Sequence, residues 1–187
     1  MTKDINYVRQ MTQSCIEELN AIGIFPNITA DKVTINNRLK ATWGRCWTHY
    51  DNYNRTAWHF TIEVSSRLVG DNVPENSLRS NLLHELLHAC DECVKCGHNG
   101  KWKEYAELVS DCYNLNIQRC TSTAEYHVED VRKAYSYKCS VCGRKFVHMA
   151  YRAPKWYKHP QGFMHTNCPS GNKKAYIMSE YYNYKLI

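Results

Sequence analysis

Apolar residues at Ile5, Val8, Met11, Cys15, Ile16 and Leu19 recur with helical spacing, which predicts an amphipathic helix over residues 4–20. Ile22-Gly-Ile-Phe-Pro26 interrupts it, and Lys32–Asn36 then alternates apolar with polar as a strand does. Residues 38–47 and 58–64 predict two further strands, joined as a hairpin through Asp51-Asn-Tyr-Asn54, with a bulge or bend at Gly44–Cys46. Start signals at Pro74-Glu-Asn-Ser77, with Asn76 or Ser77 as the cap, predict a helix running to about Cys93. A following helix over 101–113 is expected to bury Tyr105, Leu108, Val109 and Cys112. Residues 114–122 carry no clear period, and 124–135 predicts a short charged helix. On pattern alone the fold class is α+β, with no internal repeat.

One helix carries the chemistry. Within Ser80–Cys90, the residues His84, Glu85 and His88 form H-E-x-x-H. At about 100° per residue the two histidines lie roughly 40° apart on one face, one turn above the other. Two imidazoles so placed can aim lone pairs at a single Zn²⁺. Glu85 lies about 100° round from His84, poorly placed to ligate but able to reach a water in the metal's open position as general base. Leu82, Leu83, Leu86, Leu87, Cys90 and Cys93 occupy the opposite arc and give the helix a buried side of its own. The glycines of Gly97-His98-Asn99-Gly100 can turn the chain back and bring His98 round as third ligand. Glu104 or Glu107 on the next helix is the alternative; His98 is favoured by its glycines and by Trp102 as an anchor. The interval from His88 to His98 is too long for the metzincin pattern.

His-Glu-Leu-Leu-His followed by Gly-His-Asn-Gly-Lys-Trp resembles the SprT-like zinc metalloproteases, whose pattern is H-E-x-x-H, a short insert, then H-G-x-x-[FW]. Asn99 is one residue more than that pattern has between His98 and Gly100. The resemblance implies a zincin-like metallopeptidase core of helix, small three-stranded sheet, H-E-x-x-H helix and following helix, with a zinc ribbon after it. It also implies a protein substrate, cleaved with zinc on His84, His88 and His98 and with Glu85 as the base.

Composition changes this picture in two places. The ten cysteines include the pair Cys139 and Cys142, followed after twenty-two residues by His165-Thr-Asn-Cys168. Two such half-motifs at ribbon spacing point to a structural zinc closed by Cys139, Cys142, His165 and Cys168, with His148 or His159 as other possible fourth ligands. Two zinc ions are therefore expected, one catalytic and one structural. Cys90, Cys93 and Cys96 also fall at C-x-x-C spacing, but on a helix they are expected to pack in the core.

The second change is charge. The chain carries a net +6, divided between eleven bases and one acid in residues 132–187 and thirteen bases and seventeen acids before them. That asymmetry points to a polyanion-binding C-terminal part. With the boundary expected near 133–137, where the charged helix leads into the basic part, a basic zinc-ribbon domain is expected at 135–187, and the resemblance implies a SprT-like catalytic domain at 1–134. Between the ribbon half-motifs, Arg144, Lys145, Arg152, Lys155 and Lys158 alternate with Tyr151, Trp156 and Tyr157. Cations interleaved with rings suit DNA, single-stranded or at a junction, although the rings could equally form the ribbon's small core. In the family, DNA binding brings some members to crosslinked protein, so DNA-associated substrates are the expectation. The alternatives are a degenerate scaffold presenting a DNA-binding ribbon, or a peptidase for one regulatory protein.

No apolar run approaches a membrane span and the N-terminus lacks a signal-like apolar region, so a cytoplasmic or nucleoid-associated protein without a membrane partner is expected.

Overall fold

Asp4 opens the first helix as the apolar spacing requires: its carboxylate accepts the Tyr7 N–H at 2.9 Å, capping α1 (Ile5–Ala21). A computed structural model describes this and all further elements, over residues 3–50, 58–159, 165–169 and 177–178. The chain divides into two compact units, Met1–Glu129 and Asp130–Ile187.

In the first unit, β1 (Val33–Asn36) runs parallel to β3 (Trp58–Ser65), and β2 (Gly44–Tyr50) pairs antiparallel on the other side of β3. The sheet order β1-β3-β2 leaves β2 as an edge strand. Residues 38–43, expected as strand, form a turn instead. Asn36 Oδ1 accepts the Arg38 N–H at 2.8 Å and Ser65 Oγ donates to the Leu39 carbonyl at 2.8 Å, which holds the chain off the ladder until Gly44. The expected hairpin at 51–54 lies outside the described residues.

Leucines fix α2 (Glu75–His88) against the sheet and α1. Leu78, Leu82, Leu83, Leu86 and Leu87 are all fully buried, in one core with Val8, Leu19, Ile62 and Val64. Neither Asn76 nor Ser77 caps α2, because the helix begins earlier, at Glu75 behind Pro74. It also ends sooner than expected, at His88. A separate 3₁₀ turn holds Asp91–Cys93, and the Ala89 carbonyl accepts the Asn27 N–H at 2.8 Å. This early exit frees the chain to curl back toward the helix's own polar face. Cys90 and Cys93 are buried as the core reading required, while Cys96 is only partly so.

The helix α3 (Lys101–Tyr113) forms where its pattern placed it but is turned differently about its axis. Trp102, Ala106 and Val109 are its buried residues, while Leu108 and Cys112 are exposed. The 102/106/109 stripe wins because Trp102 is the largest side chain the helix can bury. No helix forms over 124–135. Glu125 instead accepts hydrogen bonds from the Ser122 amide and hydroxyl and from the Asn116 and Gln118 side chains, closing a turn. His127 there has φ 52°, which ends any helix.

In the second unit, β4 (Lys133–Cys139) takes up the end of that expected helix. It pairs antiparallel with β5 (Lys145–Ala150) and β6 (Ile177–Met178), and α4 (Lys155–Lys158) is a single turn. Among the described residues no helix is long and apolar enough to cross a membrane.

Candidate metal centre

The loop from Cys90 to Lys101 brings His98 beside the two histidines of α2. Gly100 makes the final reversal with φ 52° and ψ −127°, a conformation closed to side-chain-bearing residues, immediately before α3 begins. Trp102 follows with 2% exposure, and its indole lies 4.9 Å from the His84 ring, 5.3 Å from His88 and 4.6 Å from His98, centroid to centroid. Trp102 thus anchors the turn that carries His98 and backs all three imidazoles.

The His98 Nε2 lies 3.1 Å from His84 Nε2 and 3.2 Å from His88 Nε2. Hydrogen bonds alone do not account for this convergence. His84 Nδ1 donates to the Gln118 carbonyl at 2.9 Å, which leaves a bare lone pair on its Nε2. Tetrahedral Zn²⁺ with Zn–N of about 2.0–2.1 Å sets nitrogens about 3.3 Å apart, and the observed separations sit close to that edge. The three imidazoles therefore fit a single divalent ion. They are also held neutral, as ligands must be. Burial pushes His84 down to about 4 and His88 to about 3, with neighbouring imidazoles adding to it; His98 is lowered by burial and then by the Arg119 charge.

Glu104 and Glu107 are not at the site. They are exposed on α3, paired with Lys101 at 2.8 Å and Lys103 at 3.7 Å.

Glu85 faces the strand side of the same cavity. It is 5% exposed, and burial pushes its carboxyl up to about 8 against the opposing pull of the Cys46 backbone N–H and of Arg45. Its close neighbour is Gly44, where a Cβ would stand 2.6 Å from Glu85 Oε1 and 2.7 Å from Asn81 Oδ1. No side chain fits there, which explains the glycine at the start of β2. The cavity, of about 420 Å³, runs between β2 residues Gly44–Thr48, the His-bearing face of α2, and the segment Gln118–Thr121. Trp43 closes one end, its Nε1 donating to the Thr121 carbonyl at 2.8 Å and its ring meeting Tyr126 edge-on at 5.4 Å. The Asn81 and Thr121 side chains line the cavity with Tyr126 and temper the upward shift that burial gives its hydroxyl. Asn81, Gln118, Arg119 and Tyr126 went unremarked in the sequence, since nothing in their spacing ties them to the histidines.

In the second unit Cys139, Cys142, His165 and Cys168 present ligand atoms all within 4.8 Å of one another. Cys139 Sγ lies 4.0 Å from Cys168 Sγ and Cys142 Sγ 3.5 Å from His165 Nδ1, near the tetrahedral edges of about 3.6–3.8 Å that Zn–S of about 2.3 Å sets. Four donors with no vacant position suit a structural ion. His148 and His159 do not join this group.

The basic stretch divides by residue type. Arg144, Lys145, Arg152, Lys155 and Lys158 are exposed, whereas Tyr151, Trp156 and Tyr157 are half-buried. The Trp156 ring packs edge-on to Tyr137 at 4.6 Å, and Tyr157 packs on Tyr135 at 4.9 Å. Trp156 and Tyr157 thus pack on rings of β4, beside a small core of Cys139 and Cys168 with Cys142 and Phe146, while the cations face outward.

A comparison with individually curated proteins finds no match. The family model for SprT-like proteins matches residues 12–121, from α1 through the three histidines to the Gln118 segment. With more than half of its length so matched, the chain belongs to the SprT-like family.

Proposed function

We propose that this protein is a zinc-dependent endopeptidase with a zincin-like core, recruited to DNA through a basic zinc ribbon and acting on DNA-associated proteins. The observation that carries the reading is the convergence of three neutral imidazoles in a cavity that also holds a buried carboxylate, beside an edge strand. His84, His88 and His98 would hold the ion. When bound, it supplies a Lewis acid that makes water acidic and polarises a carbonyl. The chain's own residues do the rest. The outer edge of β2 accepts an extended peptide by main-chain hydrogen bonds, laying it along the cavity. Glu85 takes the proton of the attacking water and passes it to the leaving amine nitrogen. With the ion bound, Glu85 would be held ionised, as a base must be, against the burial that raises it. The Gln118 carbonyl keeps His84 in the tautomer that offers Nε2.

The test is to incubate zinc-loaded protein with a DNA-bound basic protein, with and without DNA, and to look for fragments. Fragments that depend on zinc and increase with DNA support the reading; an intact substrate in every condition removes it.

Gly44→Ala is expected to cost about 1–3 kcal/mol of stability, since the new methyl overlaps buried Glu85 and Asn81. Cleavage should fall as the carboxylate is displaced. Thermal melting and rate measurement check both, and an unchanged pair would mean the strand yields freely.

The five exposed cations Arg144, Lys145, Arg152, Lys155 and Lys158 should bind single-stranded DNA with a log–log salt slope of up to about −3.5, from about 0.7 per neutralised phosphate. Anisotropy across a salt series measures it. A flat salt response would favour docking to protein instead.

A further inference from the structure

The segment after α3 is fastened at three points around the cavity. The Ile117 N–H donates to Ser110 Oγ at 3.1 Å, the Gln118 carbonyl receives His84 Nδ1 at 2.9 Å, and the Thr121 carbonyl receives Trp43 Nε1 at 2.8 Å. Between these ties Arg119 stays exposed and lines the cavity. Its charge is felt at His98, and no carboxylate among the described residues pairs with it. The backbone is thus held in place by its neighbours while the guanidinium has no carboxylate partner among the described residues.

Two other cations line the same cavity. Arg45 comes from β2, 3.9 Å from Glu63 and stacked over Trp47, and Lys95 comes from the loop before His98. Among the described residues the only acid in the lining is Glu85, which is buried. This sign is opposite to that of the surrounding sequence, since residues 1–131 hold thirteen bases and seventeen acids. Three cations from three separate segments around one concavity are therefore not a sample of a generally basic surface.

We propose that the cavity mouth is a receptor for acidic side chains flanking the bond to be cut, with Arg119 as the specificity-determining residue. This rests on the peptidase reading and names its substrate class. A carboxylate entering beside the scissile bond meets a guanidinium whose planar donors match it two to two. A lysine in the same place meets like charge. Partly exposed pairs of this kind discriminate by about tenfold. The cations ring a concave site next to the reactive groups rather than lining a continuous track, which suits a peptide side chain better than a phosphate backbone.

The experiment compares zinc-loaded wild type, Arg119→Gln and Arg119→Glu on a pool of peptides of mixed sequence, with cleaved bonds read by mass spectrometry. Alongside it, binding of two labelled peptides, one carrying Glu and its twin carrying Lys, is measured by anisotropy on Glu85→Gln and on Glu85→Gln/Arg119→Glu. Wild type should enrich Asp and Glu near cleaved bonds about tenfold; Arg119→Gln should lose the enrichment and Arg119→Glu should turn it toward Lys and Arg. Unchanged or absent enrichment overturns the proposal. If wild type cleaves nothing while the Glu peptide still binds through Arg119, the receptor stands and the peptidase reading falls. If neither peptide is distinguished and a short oligonucleotide binds through Arg119 instead, the cations belong to nucleic acid and the proposal is wrong.

Discussion

Glu85→Gln is expected to lower peptide-bond cleavage by about 10²–10⁴-fold while leaving the metal content of the protein intact. The amide is isosteric with the carboxylate, so the tight fit against Gly44 and Asn81 is kept and the change is confined to proton transfer. A glutamine cannot take a proton from water at neutral pH. Because Glu85 is buried and its charge is raised in energy by that burial, replacing it by a neutral group should also hold or slightly raise thermal stability. Three measurements separate the role of base from that of ligand or scaffold: zinc per chain, melting temperature and turnover. If turnover survives with all else unchanged, the carboxylate is not the base. If zinc is lost with turnover, Glu85 acts on the metal directly rather than on water.

His98→Ala should remove the metal of the first unit and spare that of the second, so that zinc falls from about two equivalents per chain to about one. The argument is geometric. The His98 Nε2 is the atom within 3.1–3.2 Å of both partners, and without it two imidazoles on one helix turn remain. Two nitrogen donors hold zinc far more weakly than three. The Cys139, Cys142, His165 and Cys168 cluster should be indifferent, since its four donors come from residues far along the chain. Atomic absorption on dialysed protein reads the count, and a thiol-reactive dye shows whether the cysteines are still protected. Retention of both equivalents would exclude His98, and loss of both would mean that the sites are not independent.

Both results depend on features of unequal legibility. The pair His84 and His88 could be read from the sequence because ligand spacing within one helix is local arithmetic: a rise and a rotation per residue place the rings. The Cys139/Cys142 pair could be read for a similar reason, two donors across a tight turn. His98 required more, since its arrival depends on where α2 stops. The apolar pattern runs smoothly on to Cys93, yet the helix ends at His88 and the chain departs at once. Hydrophobic periodicity marks which residues are buried, and Cys90 and Cys93 are buried either way. It does not separate a helix from a 3₁₀ turn that buries the same side chains.

The misread helix at 124–135 has a different cause. Its charged residues have helical propensity, but Glu125 gains more from closing a turn over Ser122, Asn116 and Gln118 than from a helix that would bury little. That turn follows the stretch which supplies the Gln118 carbonyl to His84 and Arg119 to the cavity, and which carried no period at all.

What the sequence determined by itself was therefore local: the α+β class, the metal helix with its buried leucine side, the ribbon half-motifs and the concentration of positive charge after residue 131. Each is set by neighbours within a turn or two, where backbone geometry is nearly fixed. Only the tertiary structure decided the rest: that Gly44 makes room for Glu85, that Gln118 orients His84, that Trp102 backs all three rings, and that Arg119 faces the cavity. These are encounters between segments distant in sequence. Burial and packing select them, and no spacing rule records them.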